Sequence, residues 1–353
     1  MKSYNPVRST NFARCMLACS LFCCVAVAPA LSQFSSLSPL PGTGKLKQPS
    51  KPTKFTFVVA GDNRPCTRTD KQSAIPEEIF KDAAKKGADF VLWTGDTIYG
   101  KDKCNGSGKD PCDASTMKEE YKKFFDIAKD AGVPVFNAPG NHEMDNNDDV
   151  PNADMTSLYA KYAAQPYGSF DYGDSHFIAL NTEEVGNPAT SKNPANGEDT
   201  PATNALDPGY VSQKQLDALD ADLQANSTKA HVFIFMHHPM EAFKSDDQLD
   251  PASTAALKAI FAKYTNISYV LSGHEHMYFN PQGTNSTDPP PSQTTPTMSV
   301  PYYIVTGGAG APLKGTKKGE CGSTKSKDPG AFYHYLVFKV DGVNVTGEIH
   351  QVK

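Results

Sequence analysis

The chain has 353 residues, 39% of them hydrophobic and 21% charged, with 34 Lys and Arg against 39 Asp and Glu. This composition is globular, and the length allows one large or two ordinary domains with a sizeable core. The acidic balance argues against nucleic acid or an anionic membrane surface as the main partner.

Lys2, Arg8 and Arg14 precede an apolar stretch from roughly residue 15 to 27, followed by Ala28-Pro29-Ala30-Leu31-Ser32. A basic segment, a short apolar core and small residues describe a secretory signal peptide, expected over residues 1–32. The apolar core falls short of the ~20 residues of a membrane-spanning helix, so export without stable membrane insertion is expected. Without that segment, 31 basic residues face 39 acidic ones, a net charge of −8. Four of the eight cysteines, Cys15, Cys19, Cys23 and Cys24, lie in it. Cys66, Cys104, Cys112 and Cys321 remain as an even set suited to an oxidising compartment, with three possible pairings. Cys104 with Cys112 is the local choice and leaves Cys66 with Cys321. Asn105, Asn226, Asn266, Asn285 and Asn344 each open an Asn-x-Ser/Thr triplet, so glycosylation is expected if the host is eukaryotic.

Residues 33–54 are rich in Ser, Pro, Gly and Lys and read as a flexible lead-in to a single catalytic domain over 55–353. An apolar run, Phe55-Thr56-Phe57-Val58-Val59-Ala60, opens it as a buried strand. A helix is expected over 76–86, with Ile79, Phe80 and Ala83 on one face and Gly87 ending it. The next strand, Asp89-Phe90-Val91-Leu92, is followed by a helix over 115–131 and a third strand at Val133-Pro134-Val135-Phe136. This alternation is a parallel, doubly wound α/β start. A hairpin turning at Gly173-Asp174 is expected over 169–180, then a long polar rim over 182–208. Helices follow over 212–223 and 252–264, and a second long Pro/Thr/Ser loop over 280–299. Runs at 302–305, 335–338 and 343–349 read as strands closing a second sheet.

The same punctuation closes five apolar runs. They end in Gly61-Asp62, Gly95-Asp96, Gly140-Asn141-His142-Glu143, His237-His238-Pro239 and Gly273-His274-Glu275-His276. If the strands are parallel, all five ends share one edge of the sheet, where open α/β sheets carry their sites. Asp, Asn, His and Tyr offer hard oxygen and imidazole nitrogen donors, a mixture suited to iron, zinc or manganese. Asp96 is placed to bridge two ions, and His274 and His276, two residues apart, lie on one side of an extended backbone. Two ions ~3.5–4 Å apart hold a water at lowered pKa and clamp an in-line displacement.

These motifs resemble the calcineurin-like metallophosphoesterases, from Phe55 to the C-terminus. Because Tyr99 follows Asp96, the chain is most similar to the small purple acid phosphatases, which hold a tyrosinate on ferric iron. The resemblance implies a four-layer α/β/β/α sandwich with its site at the C-terminal ends of the strands. It implies Asp62, Asp96, Tyr99 and His276 around one ion, and Asp96, Asn141, His237 and His274 around the other, iron with zinc, manganese or a second iron. His142 is expected to contact the phosphoryl group and protonate the leaving alkoxide, as an imidazole near pKa ~6.5 can in mildly acidic medium.

Many relatives carry a metal-binding histidine where this chain has Arg64. Tyr99 either supplies the missing ligand or merely packs. Arg64 either clamps a substrate phosphate through its planar fork or holds the acidic rim in a salt bridge. His238 is expected to support a ligand rather than react, and Glu143 and Glu275 to stabilise loops. Gly307-Gly308-Ala309-Gly310 lacks the Lys-Ser/Thr of a P-loop and reads as a tight turn bringing backbone to the site. The expected activity is that of a secreted acid phosphatase acting on small phosphomonoesters through metal-bound hydroxide, without a phosphoenzyme. A phosphodiesterase of the same superfamily, acting on cyclic nucleotides or lipid head groups, is the first rival. A binding protein on a retired version of the fold is the second.

Overall fold

A computed structural model describes residues 33–67, 69–100, 114–130, 132–144, 155–184, 209–316 and 326–353. The expected signal peptide, most of the 182–208 rim, and Cys104, Cys112 and Cys321 lie outside the described residues. The first half of the domain runs β1 (Lys54–Ala60), α1 (Ile75–Lys85), β2 (Phe90–Trp93), α2 (Ala114–Asp130) and β3 (Val135–Asn137). The short α3 (Asn141–Met144) and α4 (Met155–Tyr162) follow, then the hairpin β4 (Gly168–Tyr172) and β5 (Ser175–Ala179). The second half runs α5 (Gln213–Ala225), β6 (His231–Met236), α6 (Pro251–Phe261), β7 (Ile267–Ser272) and β8 (Tyr278–Phe279). The chain ends with β9 (Tyr302–Thr306), β10 (His334–Asp341) and β11 (Asn344–Gln351).

Local chemistry fixes these ends. In α1, Pro76 occupies the first turn with Glu77 and Glu78, and Lys85 the last, complementing the helix dipole. Ser212 caps α5 by accepting from Gln215 N, and the Asp250 carboxylate caps α6 by accepting from Ala252 N and Ser253 N. Gly173, at φ 56, supplies the left-handed turn of the β4–β5 hairpin.

The strands form two sheets, in the orders β11-β10-β1-β2-β3 and β4-β5-β6-β7-β9-β8. Alternation along each strand divides the side chains among three apolar layers. From β1, Phe57 and Val59 join Phe90, Leu92, Phe177, Phe233 and Phe338 between the sheets. Val58 and Ala60 face the other way, against Ile79, Phe80 and Phe124 of α1 and α2. From β6, Val232, Ile234 and Met236 pack on Leu219 and Leu223 of α5 and Leu257 and Phe261 of α6. The result is a four-layer α/β/β/α sandwich.

The doubly wound start is corrected by this layering. β1, β2 and β3 are parallel neighbours in chain order, so right-handed crossovers put α1 and α2 on one face. The other face carries the phenylalanines and packs on the second sheet. The five motif-bearing strands therefore do not share one sheet: β1, β2 and β3 belong to the first, β6 and β7 to the second. The tail is divided too. β9 joins the second sheet beside β7, whereas β10 pairs antiparallel with β1 and extends the first.

Residues 33–54, expected to be a flexible lead-in, lie along the domain instead. Phe34, Leu37 and Leu40 are buried, and their neighbourhood is pinned by Leu37 N donating to Ser169 O (2.8 Å) and Leu40 N to Val135 O (2.7 Å). Spaced three residues apart among serines and prolines, these side chains left no periodic signal.

Candidate metal centre

The C-terminal ends of β1, β2 and β3 meet those of β6 and β7 where the sheet edges converge. Backbone contacts lace the loops together there. Asp62 N donates to Gly95 O (3.0 Å), and Asn63 N and Arg64 N both donate to Asp96 O (3.1 and 2.9 Å). Within the second sheet, just past β6 and β7, Gly273 N donates to His237 O (3.0 Å). Glycines make the approach possible: a Cβ on Gly140 would lie 2.3 Å from Asp96 Oδ1.

Three non-glycine residues take positive φ among the described residues, and all three are expected ligands. They are Asp62 (63°), Asp96 (54°) and His274 (68°). Such conformations persist where surrounding bonds over-determine them, and they cluster at functional sites.

Asp62, Asp96 and His276 bring one ligand atom each to within 4.8 Å of one another. The Asp62 carboxylate accepts from His274 N (3.0 and 3.1 Å) and lies 3.6 Å from His276 Nε2. His276 Nδ1 contacts the Pro312 carbonyl at 2.6 Å, so its proton belongs there and Nε2 keeps its lone pair toward the acids.

A second group meets the first at Asp96. His237 Nδ1 donates to Thr94 O (2.8 Å), which leaves Nε2 as the lone-pair atom. That nitrogen faces Asn141 Oδ1 at 3.0 Å, His274 Nδ1 at 3.2 Å and Asp96 Oδ1 at 3.4 Å. An imidazole lone pair and two oxygen acceptors so close suit a shared cation rather than one another.

The charges support the same fit. Burial and the neighbouring Asp96 push the Asp62 carboxyl well above its usual range. Burial works against ionising Asp96 as well, but His237, His142 and Arg64 outweigh it and hold its pKa below the ordinary value. Burial and the Arg64 charge push His276 down to about 4, keeping its ring neutral. Two buried carboxylates side by side are costly to ionise together without cations.

His142 is the second residue of α3, directly after Asn141. Its N donates to Asp96 Oδ1 (3.0 Å), its Nδ1 contacts the Tyr99 carbonyl, and its Nε2 lies 3.9 Å from Asp96 Oδ2. The Tyr99 ring lies 6.2 Å from the His142 ring, centroid to centroid. Arg64 reaches the same carboxylate oxygen, with Nε 3.8 Å from Asp96 Oδ2. His238 lies against His274, ring centroids 4.0 Å apart, and is held by Glu183 Oε1 at 2.5 Å from its Nδ1.

Glu143 and Glu275 hold loops, as expected. Glu143 accepts from Asp96 N, Gly140 N, Thr97 N and Thr97 Oγ1. Burial and the Asp96 charge push its pKa up to about 8. Glu275 accepts from Phe243 N and Lys244 N. The Gly307–Gly310 turn does approach the site, with Ala309 N donating to Gly61 O and Ala311 N to Asp62 O. Cys66 is disulfide-bonded. His176, His231, His334 and His350 lie elsewhere in the strands; His176, for example, sits between Asp171 and Asp222. The Thr94 and Pro312 carbonyls that orient His237 and His276 were not legible beforehand, because a backbone acceptor leaves no residue-type signature.

A family model for calcineurin-like phosphoesterases matches residues 55–278. The chain belongs to that family. Its members are metal-dependent phosphoester hydrolases that use two metal ions, and the donor groups around Asp96 form a candidate site of that kind. Among solved structures this phosphoesterase is similar to a dimetal phosphatase from Danio rerio, at 13% identity and a TM-score of 0.51, covering 85% of this chain and 99% of that one. It is also similar to a purple acid phosphatase from yellow lupin seeds, at 16% identity and 0.53, covering 89% of this chain and 53% of that one. A third is GAP50, the anchor in the inner membrane complex of Plasmodium, at 12% and 0.50, covering 85% of each chain. At these identities the likenesses speak for the fold. No curated protein matches the chain significantly. Among the described residues no helix is long and apolar enough to cross a membrane.

Proposed function

We propose that this phosphoesterase is a secreted di-metal acid phosphatase that hydrolyses small phosphomonoesters. The observation that carries this is the pair of lone-pair clusters meeting at Asp96. Asp62, Asp96, Tyr99 and His276 would hold one ion, and Asp96, Asn141, His237 and His274 the other, with iron beside zinc, manganese or a second iron as the pair that suits the donors. When bound, two such ions supply a nucleophilic water near neutral pH and neutralise the phosphoryl oxygens.

The remaining chemistry belongs to the chain. His142 is tethered through Nδ1 to the Tyr99 carbonyl, so in its protonated form the second N–H, on Nε2, points to the Asp96 side of the site. As the ester O–P bond breaks, that proton goes to the leaving alkoxide oxygen. Tyr99 sits on the same turn as Asp96, which supports its phenol as a ligand of ferric iron. The basic and apolar residues of 1–27 support export.

Elemental analysis of the purified protein, together with turnover of a phosphomonoester and a phosphodiester, tests this reading. Two metals per chain including iron, a visible tyrosinate absorption lost in Tyr99→Phe, and preference for the monoester are expected. A protein that takes up no metal on reconstitution, or that prefers the diester, would sink it. His142→Ala should keep both metals and lose roughly 10²–10⁴-fold in turnover; near-normal activity would remove His142 from the mechanism.

A further inference from the structure

Arg64 stands two residues beyond a left-handed turn at Asp62, in a loop that holds it firmly. Its own N and that of Asn63 donate to the Asp96 carbonyl. The Asn63 side chain is locked by Trp93 Nε1 (2.8 Å) and by Gln72 Oε1 (2.8 Å). The guanidinium is thereby delivered to the rim of the centre rather than to solvent. Its charge acts on Asp62, Asp96 and His276 alike.

Two features separate Arg64 from an ordinary rim salt bridge. Among the described residues its buried Nε has no hydrogen-bond partner, because Asp96 Oδ2, at 3.8 Å, is beyond hydrogen-bond reach. A desolvated N–H on a permanent cation is costly to leave unmatched, so it is poised for an acceptor that arrives with a ligand. Second, Arg64 and His142 flank the same oxygen, Asp96 Oδ2, at 3.8 and 3.9 Å. Their side chains remain 20% and 12% exposed, while those of Asp62, Asp96 and His237 are exposed by 2% or less. Arg64 and His142 therefore border the opening through which a substrate reaches the acids.

We propose that Arg64 is a specificity-determining residue that selects phosphate monoesters over diesters by binding their third terminal oxygen. The inference rests on the phosphatase reading above and deepens it. A monoester dianion carries three terminal oxygens; with two directed at the ion-binding donors, one remains for a planar cation at the rim. A diester has only two terminal oxygens and a single negative charge, so nothing anionic is left for Arg64. A guanidinium fits this task better than an ammonium, since its fixed fork matches phosphate oxygens in direction as well as charge.

The test compares wild type, Arg64→Gln and Arg64→Lys for p-nitrophenyl phosphate, bis(p-nitrophenyl) phosphate, calorimetric binding of inorganic phosphate, and metal content. Arg64→Gln should lose roughly ten- to a hundred-fold in kcat/KM for the monoester and in phosphate affinity, the range of one charge-assisted hydrogen bond. The diester should change little, the metal content should stay at the wild-type level, and Arg64→Lys should recover part of the loss. Equal losses on both esters, a fall in metal content, or a wild type that favours the diester would overturn the assignment. A wild type that hydrolyses neither ester would defeat the phosphatase reading separately. Calorimetry would then still decide Arg64, since unchanged phosphate affinity in Arg64→Gln, or no phosphate binding by the wild type, would reject it.

Discussion

Replacing Glu143 by Gln changes no heavy-atom shape, yet the structure makes its cost calculable. Oε2 accepts from Asp96 N (3.0 Å) and Gly140 N (2.7 Å), and Oε1 accepts from Thr97 N (2.5 Å) and Thr97 Oγ1 (2.7 Å). An amide must present its NH2 to one of these pairs. Turned toward Asp96 and Gly140, it opposes two N–H donors. Turned toward Thr97, it can donate to the hydroxyl but orphans the Thr97 N–H. The better rotamer therefore leaves at least one buried donor unmatched, about 1–3 kcal/mol. Glu143→Ala leaves all four, three of them backbone N–H groups, so its loss should be larger, roughly 3 kcal/mol or more before relaxation. Because the same clamp fixes the backbone of Asp96 at φ 54, metal affinity should fall along with stability. Urea denaturation of both variants above pH 8, where the Glu143 carboxyl is ionised and accepts all four bonds, paired with metal content after dialysis at limiting metal, measures the two effects. A Glu143→Gln protein within about 0.5 kcal/mol of wild type and fully loaded with metal would refute the argument that this carboxylate organises the turn.

Two further outcomes follow from the layers around the site. Phe57 is fully buried between the sheets, its ring 5.5 Å from Phe90 and 5.1 Å from Phe338, so Phe57→Ala should cost about 3–5 kcal/mol by denaturation while Phe57→Leu costs much less. His334 is buried on Thr306 Oγ1 and the Phe332 carbonyl, and burial pushes its pKa down to about 4. Because the folded value lies below the unfolded ~6.5, the unfolded chain takes up the proton first. The contribution is therefore complete above pH ~6.5 and is lost as pH falls toward 4, by roughly 3 kcal/mol. Denaturation midpoints at pH 7 and pH 4 should differ less in His334→Gln than in wild type, and an unchanged difference would remove His334 from the acid response.

The strand ends were legible because each one is written in residue types. Apolar runs closing in Gly-Asp, Gly-Asn-His or His-x-His announce both a strand and a donor, and the structure brings Asp62, Asp96, Asn141, His237, His274 and His276 together. Which sheet each strand joins was not legible. A run such as Phe55 to Ala60 is apolar on both faces, and neither face says whether a helix or another sheet will cover it. The large aromatics at 55, 57, 90, 136, 177 and 233 carried the answer, but only the assembled layers show that they meet. The seat of residues 33–54 was hidden for a different reason: a segment that adds only a few hydrogen bonds and three apolar side chains to a finished surface has no period of its own.

The strained backbone ties these levels together. A left-handed aspartate or histidine costs on the order of 1–3 kcal/mol, and three of them lie within one site. Each is held by bonds that the other loops supply. Asp62 N is fixed by Gly95 O, Asp96 N by Glu143, and His274 N by the Asp62 carboxylate itself. The third bond is the informative one, because a candidate ligand's side chain from the first sheet holds the backbone of a candidate ligand from the second. Neither loop is complete without the other. The donor geometry is therefore a property of the assembled sandwich rather than of any single strand, and loosening the contact between the sheets should disturb the centre even when every donor residue is kept.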